Sequence, residues 1–233
     1  MKPSNKIFAQ TSPGSFNDQA LAYLIQEGYL TTPDIEFAGT QKNAMKKAVE
    51  EGGLAFMALR NDIAGLVPTT IEALQNYGIE QLPEVIRMKI EMCLIRRINE
   101  TAPLKKLTSH PTALKQISKW KELEEKRLGH EIELIDEPLG TSKVAEQLSN
   151  GEFDPETGII APEWSVKVYP EIEVVEKGIQ DTDNNYTHFG LMSVAERVSP
   201  ISKEQAREEL ESTVQEVRKK IKETSKTFYQ IAS

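Results

Sequence analysis

One cysteine in 233 residues, Cys93, leaves no partner for an intrachain disulfide and no thiolate cluster for zinc. A reducing cytoplasm fits that scarcity. Positive charge is also in deficit, with 28 Lys and Arg against 36 Asp and Glu and a formal net charge of -8. A broad nucleic-acid surface needs clustered cations to displace counterions from phosphates, so nucleic acid is not an expected partner. A small anion can still bind wherever local positive groups outweigh the global field. No window approaches the length of an apolar transmembrane helix. The opening MKPSNKIFAQ lacks the apolar run and small-residue cleavage site of a secretory leader, so neither export nor a membrane partner is expected.

What is present describes an ordinary soluble α/β chain, 39% apolar and 27% charged, large enough for one domain or two lobes. Short apolar runs alternate with amphipathic stretches from residue 6 to about 195, the order of largely parallel strands joined by helices. Strands are expected at Lys6 to Gln10, Ile35 to Ala38 and LAFMAL. Helices are expected from Phe16, around Ala44 to Val49, and from Pro68 to about Tyr77. Gly78 and Pro83 in GIEQLPEV suggest a crossover. Val85 to Arg97 has the two-residue period of one long strand. A helix from about Thr112 to Leu128, a strand at Ile132 to Ile135, a helix near Ser142 to Ser149, the apolar GIIAP and a strand at Ile172 to Val175 follow. The expected organisation is a first lobe over 1–82, a second over 83–180, a return to the first over 181–200, and a C-terminal helix over 201–233, with a cleft between the lobes.

That helix carries a capping box at Ser202 and Gln205, early glutamates, and late lysines at 219, 220, 222 and 226 that complement its dipole. Leu210, Val214, Val217, Ile221, Thr224, Phe228 and Ile231 step by four and three like a coiled-coil seam. Two readings stay open: packing on its own domain, or pairing in a homodimer.

Three helix starts carry small hydroxyl residues: Ser15 after SPG, Ser109 and His110 before Pro111, and Thr141 with Ser142 in GTSKVAEQL. Unpaired amides at such starts suit a carboxylate, although Ser or Thr there usually just caps the helix. The loop IQDTDNNYTHF delivers Thr187 and His188 into an apolar strand, and a hydroxyl beside an imidazole suggests proton chemistry. No metal ligand set and no cofactor motif stand out.

Taken in order and spacing over roughly residues 6–194, these segments resemble the catalytic domain of prephenate dehydratases. FAQTSPGSF is similar to the family's opening motif, keeping Gly14 and Phe16 with Ser15 in place of threonine. LRNDIAGLVPTTIEAL keeps Asn61, Gly65, Val67 and Thr70. TSHPTAL, GTSKVAEQL and IQDTDNNYTHF correspond to the later motifs. The resemblance implies two lobes of the type II periplasmic-binding-protein kind binding prephenate, a small dicarboxylate, and losing water and carbon dioxide to form phenylpyruvate. Thr187 would protonate the leaving hydroxyl, with Ser15, Arg60, Asn61, Ser109, His110, Thr141, Ser142 and His188 as binding groups and without metal or cofactor.

Three positions depart from the family pattern. Arg60 and Asp62 stand where the family has glutamate and serine, and His188 stands where it has arginine. Arg60 either takes over the carboxylate clamp or is a surface arginine; His188 either meets substrate or is a packed histidine. After the loop only about forty residues remain, too few for the family's regulatory domain, so feedback control through that domain is expected to be absent. Two alternatives accompany the dehydratase reading: a prephenate decarboxylase that keeps the hydroxyl, and a non-catalytic binding protein for a metabolite of the same pathway.

Overall fold

The computed structural model describes residues 6–137, 140–224 and 227–228. The chain divides into two compact units: Met1–Ser12, Asn17–Lys89 and Asn185–Ser233 form the first, Pro13–Phe16 and Ile90–Asn184 the second.

The first unit opens with β1 (Lys6–Gln10), α1 (Phe16–Gln26), β2 (Asp34–Gly39), α2 (Gln41–Glu51), β3 (Leu54–Asn61), β4 (Gly65–Leu66), α3 (Pro68–Leu74) and β5 (Tyr77–Lys89). β1 and the middle of β3 are apolar runs rather than alternating patterns because helices cover them; Ile7, Phe8 and Ala9 are all buried. Thr40 caps α2 by accepting from the Asn43 amide at 3.2 Å, and Gly52 ends it in the left-handed region. Pro68 starts α3, where its missing N–H costs nothing.

The second unit contains β6 (Cys93–Arg97), β7 (Lys106–Ser109), α4 (Pro111–Leu114), α5 (Ser118–Leu128), β8 (Glu133–Asp136), α6 (Thr141–Ser149), β9 (Thr157–Ala161), α7 (Trp164–Val168) and β10 (Ile172–Lys177). The chain then returns to the first unit with β11 (Tyr186–Glu196), α8 (Lys203–Thr224) and β12 (Thr227–Phe228). Among the described residues the first sheet runs β12-β5-β11-β3-β1-β2 with β4 on β3, and the second β10-β6-β9-β7-β8. Each sheet has a parallel trio whose first strand is central, followed by an antiparallel strand belonging to a crossing: β2-β1-β3 then β11, and β8-β7-β9 then β6. This is the type II strand order that the family resemblance implies.

Three elements differ from expectation. The run read as one strand over Val85 to Arg97 is two, β5 and β6, because a two-residue period persists when a strand leaves one sheet and its continuation enters another. Ile90–Met92 carries the crossing, and Met92 donates to Gln180 Oε1 at 2.9 Å while its carbonyl accepts from Ile179 at 3.1 Å, tying it to the returning chain. GIEQLPEV is strand, not crossover; Pro83 is tolerated because the β5–β11 register slips between Leu191 and Ser193, where a missing N–H breaks no rung. The helix read over Thr112 to Leu128 is interrupted at Lys115–Ile117. There the Gln116 carbonyl accepts from the Asp181 amide at 2.6 Å, and Asp181 Oδ1 accepts from the Lys119 amide at 2.9 Å, capping α5 from the Asn-rich loop.

The capping box forms, Gln205 N–H to Ser202 Oγ at 3.2 Å and Ser202 N–H to Gln205 Oε1 at 3.0 Å. The seam of α8 packs on its own unit: Leu210, Val214, Val217 and Ile221 join Phe8, Met45, Met57, Leu59 and Leu74 in one core. Of the two open readings the packed helix is the one observed for these residues, and Thr224 is exposed. Lys226, Ile231 and the first five residues lie outside the described residues, as does the Phe228 side chain. The second core gathers Ile95, Val144, Leu148, Ile159 and Ile172 around Cys93, whose thiol burial pushes up to about 12. No helix among the described residues is long and apolar enough to cross a membrane.

Candidate functional site

Thr187 enters β11 on the rung opposite Asn61, and His188 on the rung opposite Arg60. One step later the register slips, so that Phe189 faces Ala58 and β3 bulges. The groups released at the bulge are taken by side chains: Gln10 Oε1 accepts from the Ala58 amide at 3.2 Å, and the Thr70 hydroxyl donates to its carbonyl at 2.8 Å. The Thr70 of the motif is therefore a brace for the strand end that carries Asn61.

Asn61 organises this end. Its Nδ2 lies 2.7 Å from Asn185 Oδ1, 3.0 Å from Thr187 Oγ1 and 3.2 Å from the Tyr186 carbonyl. Its Oδ1 accepts from the amides of Ile63 at 3.0 Å and Ala64 at 2.8 Å, holding the turn into β4. The amide of Asn61, expected above to be a binding group, is thus engaged within its own unit, with the Thr187 hydroxyl among its acceptors. The threonine oxygen accepts from that amide, the residue is 7% exposed, and no group among the described residues accepts the hydroxyl hydrogen. A hydroxyl that accepts one hydrogen bond is polarised toward donating its own.

Strand alternation sends His188 to the opposite face, so the hydroxyl and imidazole adjacent in sequence do not form a proton-transfer couple. His188 is 1% exposed and its Nδ1 lies 3.7 Å from Asp62 Oδ1. Asp62 Oδ2 is 2.8 Å from Arg87 Nη2, and Asp62 Oδ1 is 3.6 Å from Arg218 Nη2 on α8. Arg87 also stacks on Tyr186, 3.7 Å from the ring centroid. Burial pushes the His188 imidazole down to about 4; Asp62 opposes this, and Arg218 and Arg87 add to it. A neutral His188 therefore shares a rung with cationic Arg60 without like-charge conflict. Arg60 is half-buried, and its Nε is buried without a hydrogen-bond partner among the described residues.

The other candidates lie in the second unit. β7 and β8 are parallel, with Ser109 beside Asp136, so Ser109, His110 and the approach to α6 occupy the carboxyl edge of that sheet. Ser109 is fully buried and its hydroxyl donates to the Ile160 carbonyl at 2.7 Å, so that hydrogen is not available to a ligand carboxylate. His110 caps α4 with Nδ1, which accepts from the Thr112 amide at 3.1 Å. Burial pushes its imidazole down, opposed by Asp136, and the neutral ring carries its proton on Nε2. Because α4 has only four residues, the long-helix dipole expected behind Ser109 is not there. Thr141 and Ser142 are the first two residues of α6 rather than its flank; Thr141 is half-buried and Ser142 buried. Lys143 pairs with Glu146 at 3.0 Å. Ser15 is buried; beside it Gly14 has φ +79°, and a Cβ there would meet the Tyr169 ring at 3.0 Å.

Asn185, Arg87, Arg218 and Lys222 were not anticipated. The doublet Asn184–Asn185 before an apolar strand was a signal for the first, since a buried asparagine needs partners. Arg218 and Lys222, four apart on α8, look like ordinary solvated charges until the strand behind them is known. Among the described residues no group of three His, Cys, Asp or Glu side chains is placed to hold a metal ion.

The family profile described as prephenate dehydratase matches residues 7–197. No curated protein matches by sequence. Similar solved structures include the prephenate dehydratase of Arthrobacter aurescens in complex with L-Phe, at 18% identity and TM-score 0.65, covering 84% of this chain and 61% of that one. The prephenate dehydratase of Staphylococcus aureus subsp. aureus Mu50 aligns at 18% identity and TM-score 0.56, covering 81% and 66%. GqqA, described as a novel type of quorum quenching acylase, aligns at 20% identity and TM-score 0.62, covering 84% and 66%. The chain spans 61–66% of the length of these three proteins, less than two thirds in each case. At these identities the likeness establishes the fold.

Proposed function

The chain belongs to the prephenate dehydratase family, and from that premise we propose that it converts prephenate to phenylpyruvate, water and carbon dioxide with Thr187 as the proton donor. The observation that carries this reading is the Thr187 hydroxyl, which accepts from Asn61 at 3.0 Å and keeps its own hydrogen free of acceptors among the described residues. In the reaction the bond between the ring and its carboxylate breaks to release carbon dioxide, and its electron pair enters the ring. The bond from ring to hydroxyl breaks, and the oxygen leaves as water with the proton from Thr187, which solvent then restores. Aromaticity drives the step, so the protein has chiefly to orient the substrate and assist the leaving oxygen.

Incubation with prephenate tests this directly. An aromatic keto acid is the expected product by ultraviolet absorbance and mass; a non-aromatic diene retaining its hydroxyl would identify decarboxylation instead, and ligand-induced stabilisation without turnover a binding protein. Thr187→Ala is expected to lower kcat by about 100-fold or more, the usual worth of a positioned acid, with KM little changed, and Thr187→Ser to recover part of it. Undiminished turnover of Thr187→Ala would remove the hydroxyl from the mechanism.

A further inference from the structure

On the α8 side of the first sheet, a cavity of about 280 Å³ is lined by Asp62, Arg87, His188, Arg218, Ile221 and Lys222. We propose that this cavity is a binding site for a small oxyanion, the carboxylate or phosphate group of a ligand distinct from the substrate of Thr187. Three cationic side chains from two elements, β5 and α8, line it beside a single carboxylate, Asp62, in a chain whose net charge is -8. That local excess is what an anion site requires against an opposing global field. Asp62 orients Arg87 at 2.8 Å but lies 3.6 Å from Arg218 Nη2, beyond hydrogen-bond reach, so it leaves the donors of the Arg218 guanidinium in the cavity wall to a ligand. Lys222, exposed on the next turn, adds a third cation.

A second, independent feature points to a ligand. His188 lines the cavity at 1% exposure, and its buried Nδ1 has no hydrogen-bond partner among the described residues. Buried polar atoms normally find one, and an orphan in a cavity wall is the kind of group a bound molecule satisfies. Asp62 Oδ1 lies 3.7 Å from Nδ1 and 3.6 Å from Arg218 Nη2, hydrogen-bonded to neither, so an entering oxyanion would take the place of that oxygen beside Nδ1 and Arg218, and occupancy should draw a proton onto His188. The groups that bear on it are Asp62, Arg87, Arg218 and the Arg60 backbone, with Lys222 in the same wall.

The test is titration of the full chain with inorganic phosphate and, separately, with acetate, following the imidazole nitrogens by NMR with His188→Gln to assign the signal. A saturable shift of His188 is expected with at least one anion while His130 stays still; which anion acts assigns phosphate or carboxylate. Lys222→Gln and Arg218→Gln should each weaken the response about tenfold, in keeping with loss of a charged hydrogen bond. Lys222 is exposed, so that variant carries the test if Arg218→Gln unfolds. An unmoved His188 signal with both anions, or an unchanged midpoint in Lys222→Gln, would overturn the site. The readout does not involve turnover, so its failure leaves the assignment of Thr187 untouched.

Discussion

Replacing Asn61 by aspartate probes the strand end with almost no change in shape. Three oxygens face Nδ2, at 2.7 Å from Asn185, 3.0 Å from Thr187 and 3.2 Å from the Tyr186 carbonyl, and Asn185 is fully buried. An aspartate puts a fourth oxygen among them in place of the donor. Each buried acceptor left without a donor costs about 1–3 kcal/mol; the Tyr186 carbonyl keeps the Asp62 amide at 2.8 Å and the Thr187 hydroxyl can turn to donate, so a loss of about 1–3 kcal/mol, chiefly from the lost bond to Asn185, is expected at neutral pH. The oxygen that replaces Nδ2 faces acceptors, which favours the protonated carboxyl and holds its folded pKa above an unfolded value of about 3.9, while the other oxygen keeps the amides of Ile63 and Ala64. Protonation restores a donor, so the deficit is full at neutral pH and shrinks as pH falls through the raised folded value. Urea denaturation of Asn61→Asp and the parent at matched pH from 7 downward measures the difference directly, because other titrations cancel. A deficit below about 1 kcal/mol at pH 7, or one that grows toward acid, would refute the account of Asn61 as the donor that sets Thr187. Turnover gives a second readout: the Thr187 hydroxyl would turn its hydrogen to the new carboxylate, and kcat should fall while KM holds.

Other consequences are equally open to measurement. His188 is held below its ordinary value, at about 4, so the unfolded chain binds its proton first and stability drains away as pH falls from about 6.5 toward 4, by at most about 3 kcal/mol. His188→Gln should flatten that part of the stability profile, and identical slopes for variant and parent would contradict the burial argument. Ser109→Ala should cost about 1–2 kcal/mol by stranding the Ile160 carbonyl, with KM for prephenate changed by less than about twofold, since that hydroxyl donates inward. Leu210→Ala should cost about 2–5 kcal/mol in denaturant unfolding with no change of association state by sedimentation, because the side chain is fully buried in its own unit's core.

Much of this molecule is legible in order along the chain. Apolar runs mark β1, β3 and β9, Pro68 marks the start of α3, and Ser202 with Gln205 marks that of α8, since propensity and capping act within a few residues. Thr187 stands out by the same local means, as a hydroxyl ending a polar loop. The division of Val85 to Arg97 into two strands is not visible, because both halves keep the same period while pairing with different partners. Nor is the separation of Thr187 from His188 into two environments, which follows from the pleat together with the bulge opposite them.

Composition and local pattern by themselves determine an α/β chain, its family, and a hydroxyl at the mouth of a strand, because each depends on near neighbours in sequence. Only the tertiary structure decides that Asn61 sets that hydroxyl, that Ser109 donates inward, and that residues 62, 87, 188 and 218 meet on one face. Those facts depend on strand register and on which helix covers which face, and both are settled by contacts between residues far apart in the chain.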